Sequence, residues 1–156
     1  MKSLTLFRHA KTERDSTTGR DFDRRLMERG HDDAKRIGAE IRELDLVFDL
    51  ILSSPAARAA ETAELAGLAP RFDQRIYDVS TGDLLAIVQE MDARVERLAM
   101  VGHNPGFERL ASMLNGRDVE MPTGSLIEIA LPADRWHDAG TEPGQPVRFL
   151  KPKELD

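Results

Sequence analysis

Leu50-Ile51-Leu52-Ser53-Ser54-Pro55-Ala56-Ala57-Arg58-Ala59-Ala60-Glu61-Thr62-Ala63-Glu64-Leu65-Ala66-Gly67 is the stretch that decides the fold. Its short apolar run, Leu50-Ile51-Leu52, is bounded by Ser53-Ser54-Pro55 and reads as a strand. Pro55 then fits the first turn of a helix, where its missing N–H costs nothing. That helix runs through Ala56–Ala66, and Gly67 suits the residue just past its end. A strand leading directly into a helix is the unit of an α/β protein.

The same alternation extends in both directions. Upstream, Leu4-Thr5-Leu6-Phe7 reads as a first strand. From Met27 to about Leu44, Ala34, Ile37, Ile41 and Leu44 recur at helical spacing with charges between them. Downstream, Arg75 to Val79 reads as a short strand, and Ser80 caps a helix carrying Leu84, Leu85, Ile87, Val88 and Met91. Leu98-Ala99-Met100-Val101 is the next strand. Pro105-Gly106 opens a helix with Phe107, Leu110, Ala111 and Leu114 on one face, closing at Asn115-Gly116. Ser125 to Leu131 and Val147 to Leu150 complete the set. The pattern predicts a three-layer α/β/α sandwich with a mostly parallel central sheet, built as a single domain over residues 1–156.

Composition narrows the function. The 156 residues are 40% hydrophobic and 32% charged, as in a soluble globular protein rather than a disordered chain. The formal net charge of −6 argues against a general nucleic-acid binder. With no cysteine, thiol nucleophiles, disulfides and Cys-ligated metals are excluded. No apolar stretch is long enough to span a bilayer, and no secretory signal is visible. The expectation is a cytoplasmic protein with no membrane association, monomeric by size and hydrophilicity.

Ligands of an open α/β sheet bind outside the carboxyl ends of its strands. After the first strand come Arg8-His9. After the second come Ser53-Ser54-Pro55, with Arg58 in the first helical turn. After the Leu98–Val101 strand come Gly102-His103-Asn104-Pro105. Three strand ends thus bring two arginines and two histidines to one rim, with no carboxylate in the same short motifs. Each pair alone is equally compatible with a polar strand end, but the three together point to an anionic ligand. Phosphate fits best: guanidinium pairs bidentately with its oxygens, and a helix N-terminus favours negative charge. A neutral imidazole is a competent nucleophile at phosphorus. Arginines nearby disfavour the imidazolium and would keep His9 neutral.

The stretches Leu6-Phe7-Arg8-His9-Ala10-Lys11, Ser53 to Thr62 and Val101-Gly102-His103-Asn104-Pro105 resemble the histidine phosphatase superfamily, also called the phosphoglycerate-mutase-like fold. Within it the chain looks closest to the short phosphohistidine phosphatases of the SixA type. Arg8-His9-Ala10-Lys11 stands where many members have Arg-His-Gly, and Asp21 to Gly30 resembles that branch's run before its first long helix. The resemblance implies that His9 is the nucleophile, transiently phosphorylated, and that Arg8, Arg58 and His103 bind the phosphoryl oxygens. It implies no metal and no cofactor. His103 is expected to be protonated, giving a bell-shaped activity profile near neutral pH. Gly102 is expected to permit close backbone approach, and Asn104 and Pro105 to shape the turn presenting His103.

Many superfamily members place a carboxylate general acid after a middle strand. Here Asp78 is the nearest candidate, and no strong acid motif surrounds it. That favours a substrate whose leaving group departs easily, such as the imidazole of phosphohistidine, over an alkyl ester. The loop over residues 13–21 could close over the site, with Arg20 a possible substrate contact. Thr123-Gly124-Ser125 reads as a turn leading into a strand. The partner expected first is a protein bearing phosphohistidine; a small phosphorylated metabolite comes second. A metal hydrolase built on His9 and His103 lacks zinc spacing. A catalytically silent phosphate-binding or phosphoprotein-binding module of the same fold is the reading from outside enzymology.

Overall fold

The computed structural model describes residues 1–77 and 79–155. One six-stranded sheet organises the chain. Its strands are β1 (Lys2–Arg8), β2 (Leu50–Ser53), β3 (Arg71–Phe72), β4 (Arg97–Gly102), β5 (Leu126–Leu131) and β6 (Gln145–Leu150). The spatial order is β3-β2-β4-β1-β5-β6. The β3, β2, β4 and β1 ladders are parallel, whereas β5 runs antiparallel to both β1 and β6.

Four helices cover the two faces: α1 (Glu28–Glu43), α2 (Ala57–Leu65), α3 (Thr81–Gln89) and α4 (Gly106–Asn115). Side chains alternate across a strand, and the core divides accordingly. Leu4, Leu6, Leu98 and Met100 face α3 and α4, packing with Leu84, Ile87, Phe107 and Leu110. Phe7 and Val101 face the opposite side, where Ile37, Ile41, Ala59 and Ala63 of α1 and α2 meet them. The three expected layers are therefore present, with an apolar core on each side of the sheet.

Local signals set most boundaries. Ser80 accepts a hydrogen bond from the Asp83 amide and caps α3. Gly67 and Gly116 adopt φ of +78° and +68° just past α2 and α4, a conformation that glycine enters without strain. Pro55 lies one residue ahead of the α2 N-cap, Ala56, rather than inside the helix. Among the described residues of Arg75–Val79 the expected strand does not form: Gln74–Ile76 make a 3₁₀ turn capped by Asp73, and the extended pair is Arg71–Phe72. The Asp73 carboxylate accepts from the Arg75 backbone amide, and this local bond favours the turn. No helix among the described residues is long and apolar enough to cross a membrane.

Candidate active site

The sheet order places β2, β4 and β1 side by side, so the three motif-bearing strand ends adjoin one another. Backbone bonds lock them at one level. The His9 amide donates to the Gly102 carbonyl at 3.0 Å, and the Ser54 amide to the Val101 carbonyl at 2.9 Å. Because β5 runs the other way, its starting turn, Thr123-Gly124-Ser125, reaches the same rim. There the Gly124 amide donates to the His9 carbonyl, and the Ser125 carbonyl accepts from the Arg8 amide. The turn is thus a backbone brace of the site as well as the lead into a strand.

His9 is buried, and its Nδ1 lies 2.7 Å from the Ala10 carbonyl oxygen. A carbonyl only accepts, so Nδ1 carries the proton and the lone pair sits on Nε2. Desolvation is the main force holding the His9 pKa down, to about 4. The Ala10 carbonyl opposes it, and Arg58, Arg8 and Arg24 reinforce it. His9 is therefore a neutral imidazole with one free ring nitrogen.

The His103 ring centroid is 5.3 Å from that of His9. Its Nε2 is 2.7 Å from the Ser54 hydroxyl, while its buried Nδ1 has no hydrogen-bond partner. Burial lowers its pKa to about 3, assisted by His9, Arg58 and Arg8 and opposed by Asp21. In the unliganded protein this runs against the expectation of a protonated His103. Two arginines and a second imidazole crowd a desolvated ring, and they disfavour its charge as they disfavour that of His9.

Both arginines are anchored. Arg8 Nη1 donates to the Met121 carbonyl at 2.8 Å, leaving Nε buried without a partner. Arg58, 7% exposed, is not on an open helix face. Its Nη1 donates to the Asp21 carbonyl at 2.9 Å and its Nη2 to the Asp21 carboxylate at 3.0 Å. Asp21 also receives Tyr77 Oη at 2.9 Å and Arg24 Nη1 at 3.0 Å. Partial burial alone would raise the Asp21 pKa. The bonds from Tyr77, Arg24 and Arg58 outweigh that and lower it to about 2. The rim is therefore not purely cationic: a carboxylate from a distant loop orients Arg58.

Among the described residues no cluster of His, Asp and Glu is arranged to hold a metal ion. What the arrangement offers is a neutral nucleophilic nitrogen, two guanidinium groups and two orphaned polar atoms, Arg8 Nε and His103 Nδ1, around one point on the sheet edge. The model of the histidine phosphatase superfamily (branch 1) matches residues 4–135. The chain belongs to that superfamily.

This phosphatase has relatives in several bacteria. An uncharacterized protein of Mycobacterium tuberculosis is 31% identical over 137 residues, 80% of this chain and 85% of that one. The putative phosphohistidine phosphatase SixA of Agrobacterium tumefaciens is 26% identical. It superposes with a TM-score of 0.82, covering 96% of this chain and 97% of its own. The protein histidine phosphatase SixA complexed with tungstate shares the fold at 19% identity and a TM-score of 0.83, covering 99% of each chain.

His9, Arg8, Arg58 and His103 are thus brought together on one rim of the phosphatase. Arg20 is not: it is exposed and lies over the Phe22 ring at 5.8 Å. Phe22 in turn packs edge-on against Tyr77, and Tyr77 against His103. Asp78 lies outside the described residues. Gly102 makes room for the protein's own ring, since a Cβ there would sit 2.5 Å from Phe107 Cζ. Asn104 holds its turn as expected, donating to the Met121 carbonyl and the Glu108 carboxylate. Sequence reasoning missed Asp21, Tyr77 and Ser54. Ser54 could have been found, being the last polar residue of a strand-end motif. Asp21 and Tyr77 sit in irregular segments where no periodicity marks them.

Proposed function

We propose that this phosphatase removes the phosphoryl group from phosphohistidine on a protein, through a covalent intermediate at His9 and without a metal or cofactor. The observation that carries this reading is the His9 tautomer. Nδ1–H is committed to the Ala10 carbonyl, so the Nε2 lone pair is free to attack phosphorus beside Arg8, Arg58 and His103. In the first step a bond forms between Nε2 and phosphorus as the substrate's P–N bond breaks; the substrate ring, protonated on its far nitrogen, takes the P–N electron pair and departs as neutral imidazole, while His9 keeps its Nδ1 proton. In the second, water attacks phosphorus, releasing inorganic phosphate and restoring His9. The arginines stabilise charge on the equatorial oxygens throughout.

The leaving group supports this substrate class. Asp21, the carboxylate bound to Arg58, is held ionised at neutral pH and has no proton to give. An alkoxide leaving group needs such a proton, whereas an imidazole departs more easily. A protein histidine phosphatase SixA of the same fold is complexed with tungstate, an oxyanion, and that likeness supports an anionic substrate here.

The test incubates the protein with chelator against a phosphohistidine-bearing protein domain and a panel of small phosphomonoesters, beside His9→Ala. Expected is phosphate release from the phosphohistidine domain, lost in the variant. Preference for one small ester would move the protein to the metabolite class. Tight phosphate binding with no release would make it a silent binding module.

A further inference from the structure

We propose that a cationic groove beside His9 docks an acidic segment of the phosphorylated protein, so that charge next to the phosphorylated residue selects the substrate. This rests on the phosphatase reading and adds the partner's chemistry to it.

The groove encloses about 400 Å³ and is lined by Lys11, Arg29, Asp33, Thr123, Lys151 and Lys153, among others. Its walls are built onto the nucleophile's own backbone. Lys11 follows His9 by two residues. The first turn of α1 is pressed against the Lys11 carbonyl, and a Cβ on Gly30 would overlap that oxygen at 2.1 Å. Gly124, next to the lining residue Thr123, has φ of +77°, packs against the lining residues Asp33 and Pro152, and donates its amide to the His9 carbonyl. A ligand in this groove therefore lies in fixed register with His9.

The charges do not cancel. Asp33 is buried and is shared by Arg29 at 3.5 Å and Arg36 at 3.6 Å. Glu154 lies 3.8 Å from Lys151. Lys11 and Lys153 are exposed and form no ion pair among the described residues. Among the described lining residues, four cations stand against two carboxylates, a positive lobe on a protein of net charge −6. Lys151 and Pro122 continue it into a neighbouring depression of about 420 Å³, lined also by Arg8, Glu108 and Glu120. There cations and carboxylates balance. Together the two form a trough beside the site, positive only toward Lys11 and Lys153. That polarity fits a chain carrying Asp or Glu on one side of its phosphorylated residue.

Binding tests this independently of turnover. A fluorescent unphosphorylated peptide rich in Asp and Glu, and its Asn/Gln counterpart, are titrated with the wild-type protein and with Lys11→Glu/Lys153→Glu. The acidic peptide should bind more tightly, and the double charge reversal should weaken it about tenfold, as two favourable exposed pairs become two repulsive ones. Added salt should weaken the wild type and spare the variant. Equal affinity for the two peptides, equal affinity of the two proteins, or preference for a short oligonucleotide would each overturn the proposal. In a second arm, Lys153→Glu should raise KM for a phosphohistidine peptide with acidic flanks while kcat stays within about twofold. If the acidic peptide binds as expected but no phosphorylated substrate turns over, the groove stands and the phosphatase reading fails.

Discussion

His9 is neutral because it is buried, and this has a stability consequence that can be measured. Its pKa is about 4 in the folded protein and about 6.5 in an unfolded chain. Between those values the unfolded state binds the extra proton, so stability rises with pH and is lost as pH falls. At pH 7 neither state holds much of that proton. At pH 5 the unfolded histidine is almost fully charged and the folded one is about nine-tenths neutral. The difference is worth about 2 kcal/mol at 1.4 kcal/mol per pH unit below 6.5. His103, lowered to about 3, behaves the same way over that interval and adds about 2 kcal/mol more. Urea unfolding at pH 7 and pH 5 should therefore show a loss roughly 2 kcal/mol smaller in His9→Asn than in the wild type. The His9 imidazole resonances should titrate near pH 4 by NMR. The acid limb of kcat/KM should lie there too, with no alkaline limb from His103 and hence no bell centred on neutral pH. A His9 midpoint near 6.5, or an identical pH response in His9→Asn, would refute the reasoning.

Two further outcomes follow from the packing and the loop carboxylate. Gly102→Ala should lower stability by about 1–3 kcal/mol in a melting experiment, because the new Cβ would meet the Phe107 ring at 2.5 Å in a filled core. Asp21→Asn should cost less than about 1 kcal/mol at pH 7, since the carboxylate is half exposed and screened by solvent. Its pKa is lowered, so its contribution is present above pH 4 and fades toward pH 2; the variant should lose less stability on acidification across that range. With the carboxylate's charge gone, inorganic phosphate should also inhibit more strongly.

The parts of the fold legible in the sequence are those where a periodic apolar pattern ends in a residue with one strong backbone preference. Gly67 and Gly116 close α2 and α4, and Ser80 opens α3, for that reason. The Arg75–Val79 strand failed because five residues are too few for periodicity to outweigh one Asp73 side-chain bond. The site divides along the same line. His9, Arg58 and His103 stand beside predicted strand ends, and three adjacent parallel strands bring strand ends together whatever lies between. Asp21 reaches Arg58 across 37 positions from a short 3₁₀ turn, a pairing that no local pattern encodes. The protonation of His103 was also illegible, because burial sets it and the motif does not record burial.

On the proposed mechanism, the same pairing lets an acidic protein hold a phosphoryl group without a pH-sensitive charge. Both histidines are neutral, so the positive charge at the rim comes from guanidinium groups, which do not titrate in the working range. Asp21 takes one N–H from Nη1 and one from Nη2 of Arg58, leaving three of its five donors for an anion. Glu108 acts on Arg8 through space and binds the Asn104 side chain and the Met121 amide. Met121 in turn receives Arg8 through its carbonyl. These carboxylates stand off the reacting centre and hold the guanidinium groups in place, so the arginines are oriented before substrate arrives and little ordering remains to be done on binding.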